Sequence, residues 1–278
     1  MRHSTLGELA AVAAGAARAA DDALLVELTP GSADSGATLV CFPYAAGHAV
    51  HFRPLAEAMA RRDPDIAVLA FEPPGDDCRH RLEVDDLAAL AAAEIEERVA
   101  GPVLLWGQCV GSALALAVAR ELARRGRPVE QVFLGAKLLR SPADLRAAIE
   151  HVTAMTAEDV RQWLTEEAGF AGLDQLGPEY RELLARTFRR DSTAANRHLL
   201  DAIESGRAPL DAPCTLVVAT DDAVTEGYAT TYRRWEALVA GLRLVPIDGG
   251  HYFTRTRPAR VADLVATAHR GAAAERAA

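Results

Sequence analysis

The stretch Leu104-Leu105-Trp106-Gly107-Gln108-Cys109-Val110-Gly111-Ser112-Ala113 decides how this chain folds. An apolar run enters Gly-x-Cys-x-Gly and leaves at once into an Ala/Leu-rich segment. A strand that becomes a helix over so few residues needs two positions without a Cβ. Glycines on either side supply them and lift the residue between above the sheet. That residue is Cys109, where serine is the usual occupant.

Two downstream segments give the elbow partners. Leu216-Val217-Val218-Ala219-Thr220-Asp221-Asp222 reads as a strand ending in acids, and Leu242–Pro246 reads as another, followed by Asp248-Gly249-Gly250-His251. Nucleophile, acid, histidine is the chain order of the α/β-hydrolase triad. We therefore expect Cys109 as nucleophile, His251 as base and Asp222 as the acid that orients it. Asp221 remains the alternative, because it ends the same strand. Each element alone arises easily in an Ala/Gly-rich chain; their joint order at strand ends is the signal.

An oxyanion hole needs two donors. The Val110 N–H follows the nucleophile, and the Ala45 N–H lies in the loop Phe42-Pro43-Tyr44-Ala45-Ala46-Gly47-His48. Tyr44, Gln108 and His48 are candidate substrate contacts. His48 and His51 lack an acid in the right order, so they read as loop or rim residues.

The chain has 278 residues, 50% of them hydrophobic, and a net charge of −9. That length suits one large domain with an insertion, and the negative balance argues against nucleic acid as a partner. A basic cluster, Arg120, Arg124, Arg125 and Arg127, reads first as charge at a helix C-terminus and second as a dock for an acidic partner. Cys41 and Cys214 sit in apolar strand patterns as small hydrophobes, and Cys78 falls in a loop. The four cysteines show neither disulfide nor metal spacing, which fits a cytoplasmic protein. No metal or cofactor is expected, and no run reaches membrane-spanning length.

Strands are expected at Leu24–Leu28, Thr38–Phe42, Ile66–Phe71, Val103–Trp106, Gln131–Leu134, Thr215–Ala219 and Leu242–Pro246. Helices are expected at Phe52–Arg62, Val84–Val99, Val110–Arg125, Tyr228–Leu238 and Arg257–Ala268. The alternation predicts a mostly parallel sheet covered on both faces, that is, an α/β-hydrolase fold over 24–278 after an N-terminal extension, 1–23. From about 138 to 206 only helices are predicted (Pro142–His151, Ala157–Ala168, Pro178–Ile203), as for a lid. Lys137, at its base, is expected to be solvated rather than to face the substrate.

Cys41-Phe42-Pro43-Tyr44-Ala45-Ala46-Gly47, His51-Phe52-Arg53-Pro54-Leu55-Ala56, the elbow and Gly249-Gly250-His251-Tyr252-Phe253 together resemble the type II thioesterases. These are stand-alone α/β-hydrolases of nonribosomal peptide and polyketide synthesis. The resemblance spans about residues 36 to 268 and implies acyl groups held as phosphopantetheine thioesters on carrier proteins. The chain departs from the family's usual Gly-His-Ser-x-Gly at Gln108 and Cys109, and from its second loop glycine at Ala46. Ala223 stands where proline is common.

The cysteine changes the expected outcome. A serine ester lies downhill from a thioester, so water finishes the reaction. A cysteine thioester is nearly isoenergetic with a phosphopantetheine thioester, so its acyl group can pass to a second carrier. Cysteine-bearing relatives are associated with such aminoacyl transfer. Acyl or aminoacyl transfer between carrier proteins is therefore the first expectation, and hydrolytic editing the alternative, since cysteine supports hydrolysis in proteases. A dienelactone-hydrolase-like enzyme fits the Phe-Pro-Tyr-Ala loop and the long insertion less well. A non-catalytic carrier-binding module does not account for the intact Cys109, Asp222 and His251.

Overall fold

The computed structural model describes residues 23–29, 35–74, 82–170, 172–173 and 177–277. The N-terminal extension before residue 23 and Cys78 lie outside these. Seven strands form one sheet: β1 (Leu25–Glu27), β2 (Ala37–Phe42), β3 (Ile66–Phe71), β4 (Val103–Gln108), β5 (Gln131–Gly135), β6 (Leu210–Ala219) and β7 (Val239–Ile247). Their order is β1-β3-β2-β4-β5-β6-β7. Only β1 runs antiparallel, against β3. Strands β2, β3 and β4 are buried at every position, which is why they read as unbroken apolar runs rather than alternating ones.

Helices cover both faces, as the alternation predicts. α1 (Arg53–Arg62) packs beside the C-terminal helix Pro258–Ala277 on one face, where Leu55, Met59, Val261 and Val265 share a core with Trp106 and Phe133. α2 (Val84–Arg98) and α3 (Gly111–Arg124) cover the other, with Ile95, Leu116 and Leu122 against Leu105 and Val132. α3 begins with Gly-Ser-Ala because nothing larger fits: a Cβ on Gly111 would lie 2.3 Å from the Phe42 carbonyl oxygen.

The insertion contains α4 (Pro142–Ala154), α5 (Ala157–Glu166) and α6 (Pro178–Glu204). Ser141 and Thr156 cap α4 and α5, each side chain accepting from the backbone N–H three residues on. Met155, Val160, Leu164, Ala185 and Phe188 give the insertion its own small core, which also takes in Ala45.

Several elements depart from expectation: the C-terminal helix runs on to Ala277 rather than ending at Ala268, and β7 begins at Val239 rather than Leu242. The helix expected over Tyr228–Leu238 is a short α7 (Tyr228–Thr231) followed by a 3-10 turn, Tyr232–Ala237. The Thr230 and Thr231 hydroxyls both donate to the Gly227 carbonyl, at 3.0 Å each, and β-branched residues there resist a longer α-helix. β6 starts five residues earlier than expected, with a register shift between Leu210 and Pro213, where proline has no N–H to give the ladder.

The basic cluster is engaged within the protein. Arg120 donates to the Ala208 and Leu238 carbonyls, at 2.6 and 2.8 Å. Arg124 and Arg125 pair with Glu121, Arg125 also with Glu96, and Arg127 holds the Ile95, Val99 and Gly101 carbonyls. These guanidinium groups tie α3 to its neighbours.

Candidate active site

The elbow forms as its glycines require. Cys109 has φ 53°, a left-handed conformation that costs a non-glycine residue about 1–3 kcal/mol. Gly107 and Gly111 lie so close that a Cβ on Gly107 would come within 2.5 Å of the Gly111 carbonyl oxygen. The Cys109 N–H donates to Gly135 O at 2.7 Å, and Ser112 Oγ donates to Gly107 O at 3.0 Å. These bonds hold the turn against the end of β5.

His251 follows β7 through Gly249 and Gly250, both left-handed at φ 123° and 68°. Their N–H groups donate to Asp221 Oδ1 at 3.0 and 2.9 Å, so Asp221 holds the turn and does not reach the imidazole. Asp222 does: its Oδ2 accepts from His251 Nδ1 at 2.9 Å and from Thr225 Oγ1 at 3.0 Å. The Val224 N–H holds the other oxygen at 3.0 Å. The structure thus pairs Asp222 with the histidine, whose charge in turn acts on Cys109.

Cys109, His251 and Asp222 are all buried, at 9%, 3% and 5% exposure. Burial alone would push the Cys109 thiol up. The His251 imidazolium, the Lys137 ammonium and the Val110 N–H outweigh it and hold the thiol below its usual value. For His251, burial opposes charge, but Cys109 and Asp222 prevail and push it up to about 10. Both shifts favour thiolate and imidazolium, the reactive form of a cysteine nucleophile.

In the loop after β2, the Tyr44 and Ala45 N–H groups have no acceptor among the described residues. The Ala46 N–H donates to Asp191 Oδ2 at 3.0 Å, Gly47 N–H to Tyr44 O at 2.7 Å, His48 N–H to His51 Nδ1 at 3.0 Å and Ala49 N–H to Glu72 at 2.9 Å. Ala45 is left among them without an acceptor within the described residues, as an oxyanion donor must be. The Val110 N–H, from the residue after the nucleophile, favours negative charge on the Cys109 sulfur. Ala46 has φ 56°, which is why its position suits glycine.

Of the three side chains expected near substrate, one is turned away from it. Gln108 is fully buried; its amide donates to His251 O at 2.7 Å and accepts from Trp106 Nε1 at 3.1 Å. It braces the histidine and cannot touch substrate. His48 is paired with Glu72 at 2.6 Å. Tyr44 is buried against Tyr252 and stacks on His51, with ring centroids 4.7 and 5.2 Å away. Burial, with Arg255 and His48 nearby, pushes His51 down to about 3, a neutral ring. Lys137 is half-buried, with Nζ donating to Asn196 Oδ1 at 3.0 Å and its charge felt at Cys109.

The insertion sits directly on the nucleophile. Ala168 packs with Cys109, Tyr44 and Tyr252, and Trp163 and Phe170 close the cluster. Beside it, a cleft of about 440 Å³ runs from Tyr44 and Val110 past Leu87 and Leu114 to Arg189 and Arg190. Sequence reasoning missed Asp191, Asn196 and Trp163. The signal available was the row of buried polar residues on α6, Thr187, Ser192 and Asn196, interleaved with Phe188, Ala195 and Leu199.

Among the described residues no group of three or more His, Cys, Asp or Glu could hold a metal. Nor is any helix there long and apolar enough to cross a membrane.

The chain belongs to the thioesterase domain family, whose profile matches residues 37–269. It is 32% identical to a probable cadicidin biosynthesis thioesterase of Streptomyces griseus, over 81% of this chain and 60% of that one. It is 27% identical to the phenyloxazoline synthase MbtB of Mycobacterium tuberculosis, over 84% of this chain but 16% of the synthase. It thus spans less than two thirds of either relative. Among solved structures, the RedJ thioesterase of the prodiginine pathway in Streptomyces coelicolor superposes with a TM-score of 0.68 at 26% identity, covering 91% of this chain and 96% of RedJ. YbtT, a type II thioesterase from the yersiniabactin NRPS/PKS pathway, shares the fold with a TM-score of 0.65 at 24% identity, over 90% and 99%.

Proposed function

We propose that this protein is a type II thioesterase that hydrolyses acyl groups from phosphopantetheine thioesters on carrier proteins of nonribosomal peptide or polyketide synthesis. The observation that carries this reading is the buried Cys109–His251–Asp222 constellation beneath a helical lid. The sequence put transfer first; the relatives' description as thioesterases moves hydrolysis ahead of it. The Cys109 thiolate attacks the acyl carbonyl carbon, and the resulting oxyanion is met by the Ala45 and Val110 N–H groups. The bond from carbonyl carbon to phosphopantetheine sulfur breaks, and that sulfur takes the His251 proton. His251 then deprotonates a water, which attacks the Cys109 thioester; the acid leaves and the thiolate returns. Asp222 keeps the imidazole in the tautomer and orientation both steps need. Trp163, Ala168 and Phe170 form the lid over the thioester. The reading calls for no cofactor beyond the carrier's own phosphopantetheine.

Cys109 itself favours a second reading, transfer, because a carrier thiol can replace water at little energetic cost. Intact-protein mass spectrometry with one acylated and one empty carrier separates the two. Free acid with the second carrier empty supports hydrolysis. Label on the second carrier establishes transfer, and no adduct on Cys109 with either carrier overturns both.

A further inference from the structure

Three non-glycine residues have left-handed backbones: Ala46, Cys109 and Ala136, at φ 56°, 53° and 51°. Ala46 sits in the turn that carries the open Ala45 donor. Gly47 N–H donates to Tyr44 O at 2.7 Å, which closes a β-turn over Tyr44–Gly47. Ala45 keeps a negative φ while that of Ala46 is positive, the pattern of a type II β-turn. That form favours glycine at its third position, where this chain has Ala46. A type I turn differs by a flip of the central peptide, which would return Ala46 to a negative φ and swing the Ala45 ψ from about +120° to about −30°. Left to itself, an alanine in this position favours the flipped form.

One side chain opposes the flip. The N–H of the central peptide, that of Ala46, donates to Asp191 Oδ2 at 3.0 Å. Flipping would withdraw this donor and turn the Ala45 carbonyl oxygen toward the carboxylate, so Asp191 disfavours it twice over. Asp191 is itself tethered, its Oδ1 accepting from Arg190 Nε and Nη2 at 3.2 and 3.1 Å. It lies three residues past Phe188 on α6, and Phe188 shares the insertion's small core with Ala45. Residues three apart share a helix face. One face of α6 therefore gives an apolar contact to Ala45 and an anionic one to Ala46. Tyr44 O and Ala45 N–H belong to one peptide plane, so a turn held in place holds the donor too.

We propose that Asp191 is a positioning residue for acylation: from the insertion it keeps the Tyr44–Gly47 turn unflipped and the Ala45 N–H aimed at the oxyanion. This rests on the thioesterase reading in taking Cys109 as the acylated residue and Ala45 as an oxyanion donor. The test compares Cys109 acylation by acetyl-pantetheine and by p-nitrophenyl acetate with alkylation by iodoacetamide, all read by intact mass. Acylation drives charge onto a carbonyl oxygen. Alkylation displaces iodide from a saturated carbon and makes no oxyanion. Asp191→Ala and Asp191→Leu, either of which serves if the other does not fold, should slow acylation about tenfold and leave alkylation unchanged. That is part of the roughly 10²–10³-fold cost of a lost oxyanion donor. Asp191→Asn keeps an oxygen for the Ala46 N–H and should acylate like the parent. Ala46→Gly added to Asp191→Ala should restore most of the rate, because glycine holds a positive φ unaided.

Parental acylation in Asp191→Ala or Asp191→Leu overturns the proposal, as does an equal fall in acylation and alkylation. An Asp191→Asn variant as slow as Asp191→Ala also overturns it, since charge rather than the hydrogen bond would then matter. If acetyl-pantetheine loads nothing but p-nitrophenyl acetate shows the expected pattern, the positioning role stands and the thioesterase reading falls. If both donors load the parent without that pattern in the variants, the role falls and the reading stands. Loading by neither donor overturns both.

Discussion

Cys41 and Cys109 stand on adjacent strands of one sheet, both inside the protein, and their chemistry diverges completely. In mid-strand, burial pushes the Cys41 thiol far up, and it pushes Cys214 to about 12. At the end of β4 the same burial is overcome, and Cys109 is held down. Burial alone thus silences a thiol. What makes one reactive is the strand end, where loops can deliver an imidazolium, an ammonium and a backbone N–H to the same sulfur.

Substitution at the two positions gives the widest contrast. Cys109→Ala should abolish acyl loading and turnover while leaving the fold intact. Cys41→Ala should keep activity and lose stability on the order of 1 kcal/mol. Turnover surviving in Cys109→Ala would break the contrast outright. Next, His251→Ala should slow acylation by about 10²–10⁴-fold, and His48→Ala far less, as single-turnover rates would register. If His48→Ala were the slower variant, the base would be misassigned.

The pH dependence of alkylation sharpens the comparison further. With its thiol depressed, Cys109 keeps its thiolate as pH falls through about 8.5, the ordinary thiol value, and loses it only at the lowered one. Iodoacetamide labelling of its peptide should therefore stay fast at neutral pH, while Cys41 and Cys214 remain unlabelled in the folded protein. His251→Ala should move the Cys109 profile upward. The smallest effect is at Gln108→Leu, which strands the Trp106 N–H and releases the His251 carbonyl. We expect a loss of about 1–3 kcal/mol in thermal unfolding with a modest fall in rate.

The elbow, the sheet and the helical insertion were legible because glycine spacing and apolar runs are local signals. Asp222 was preferred to Asp221 without a decisive signal, since adjacent residues at a strand end point to opposite sides and sequence alone does not say which side holds the histidine. Gln108 could have been read better: next to Cys109 on a strand, period-two alternation already turns it to the far side. Lys137 could not, because nothing in Gly135-Ala136-Lys137 announces a left-handed alanine. The roles of Arg120 and Arg127 were hidden for a related reason, their partners being carbonyls on elements far away in sequence.

The clash that a Cβ on Gly111 would make with the Phe42 carbonyl locks the elbow and the loop after β2 into one rigid socket. Residues around the socket are not free to drift, but its occupant is. Serine and cysteine differ by one atom and need the same backbone, so a point change in a codon can exchange an alcohol for a thiol without rebuilding anything nearby. The architecture therefore confines chemical novelty to one interchangeable plug, and lineages sharing this fold can switch between an ester and a thioester intermediate in a single evolutionary step.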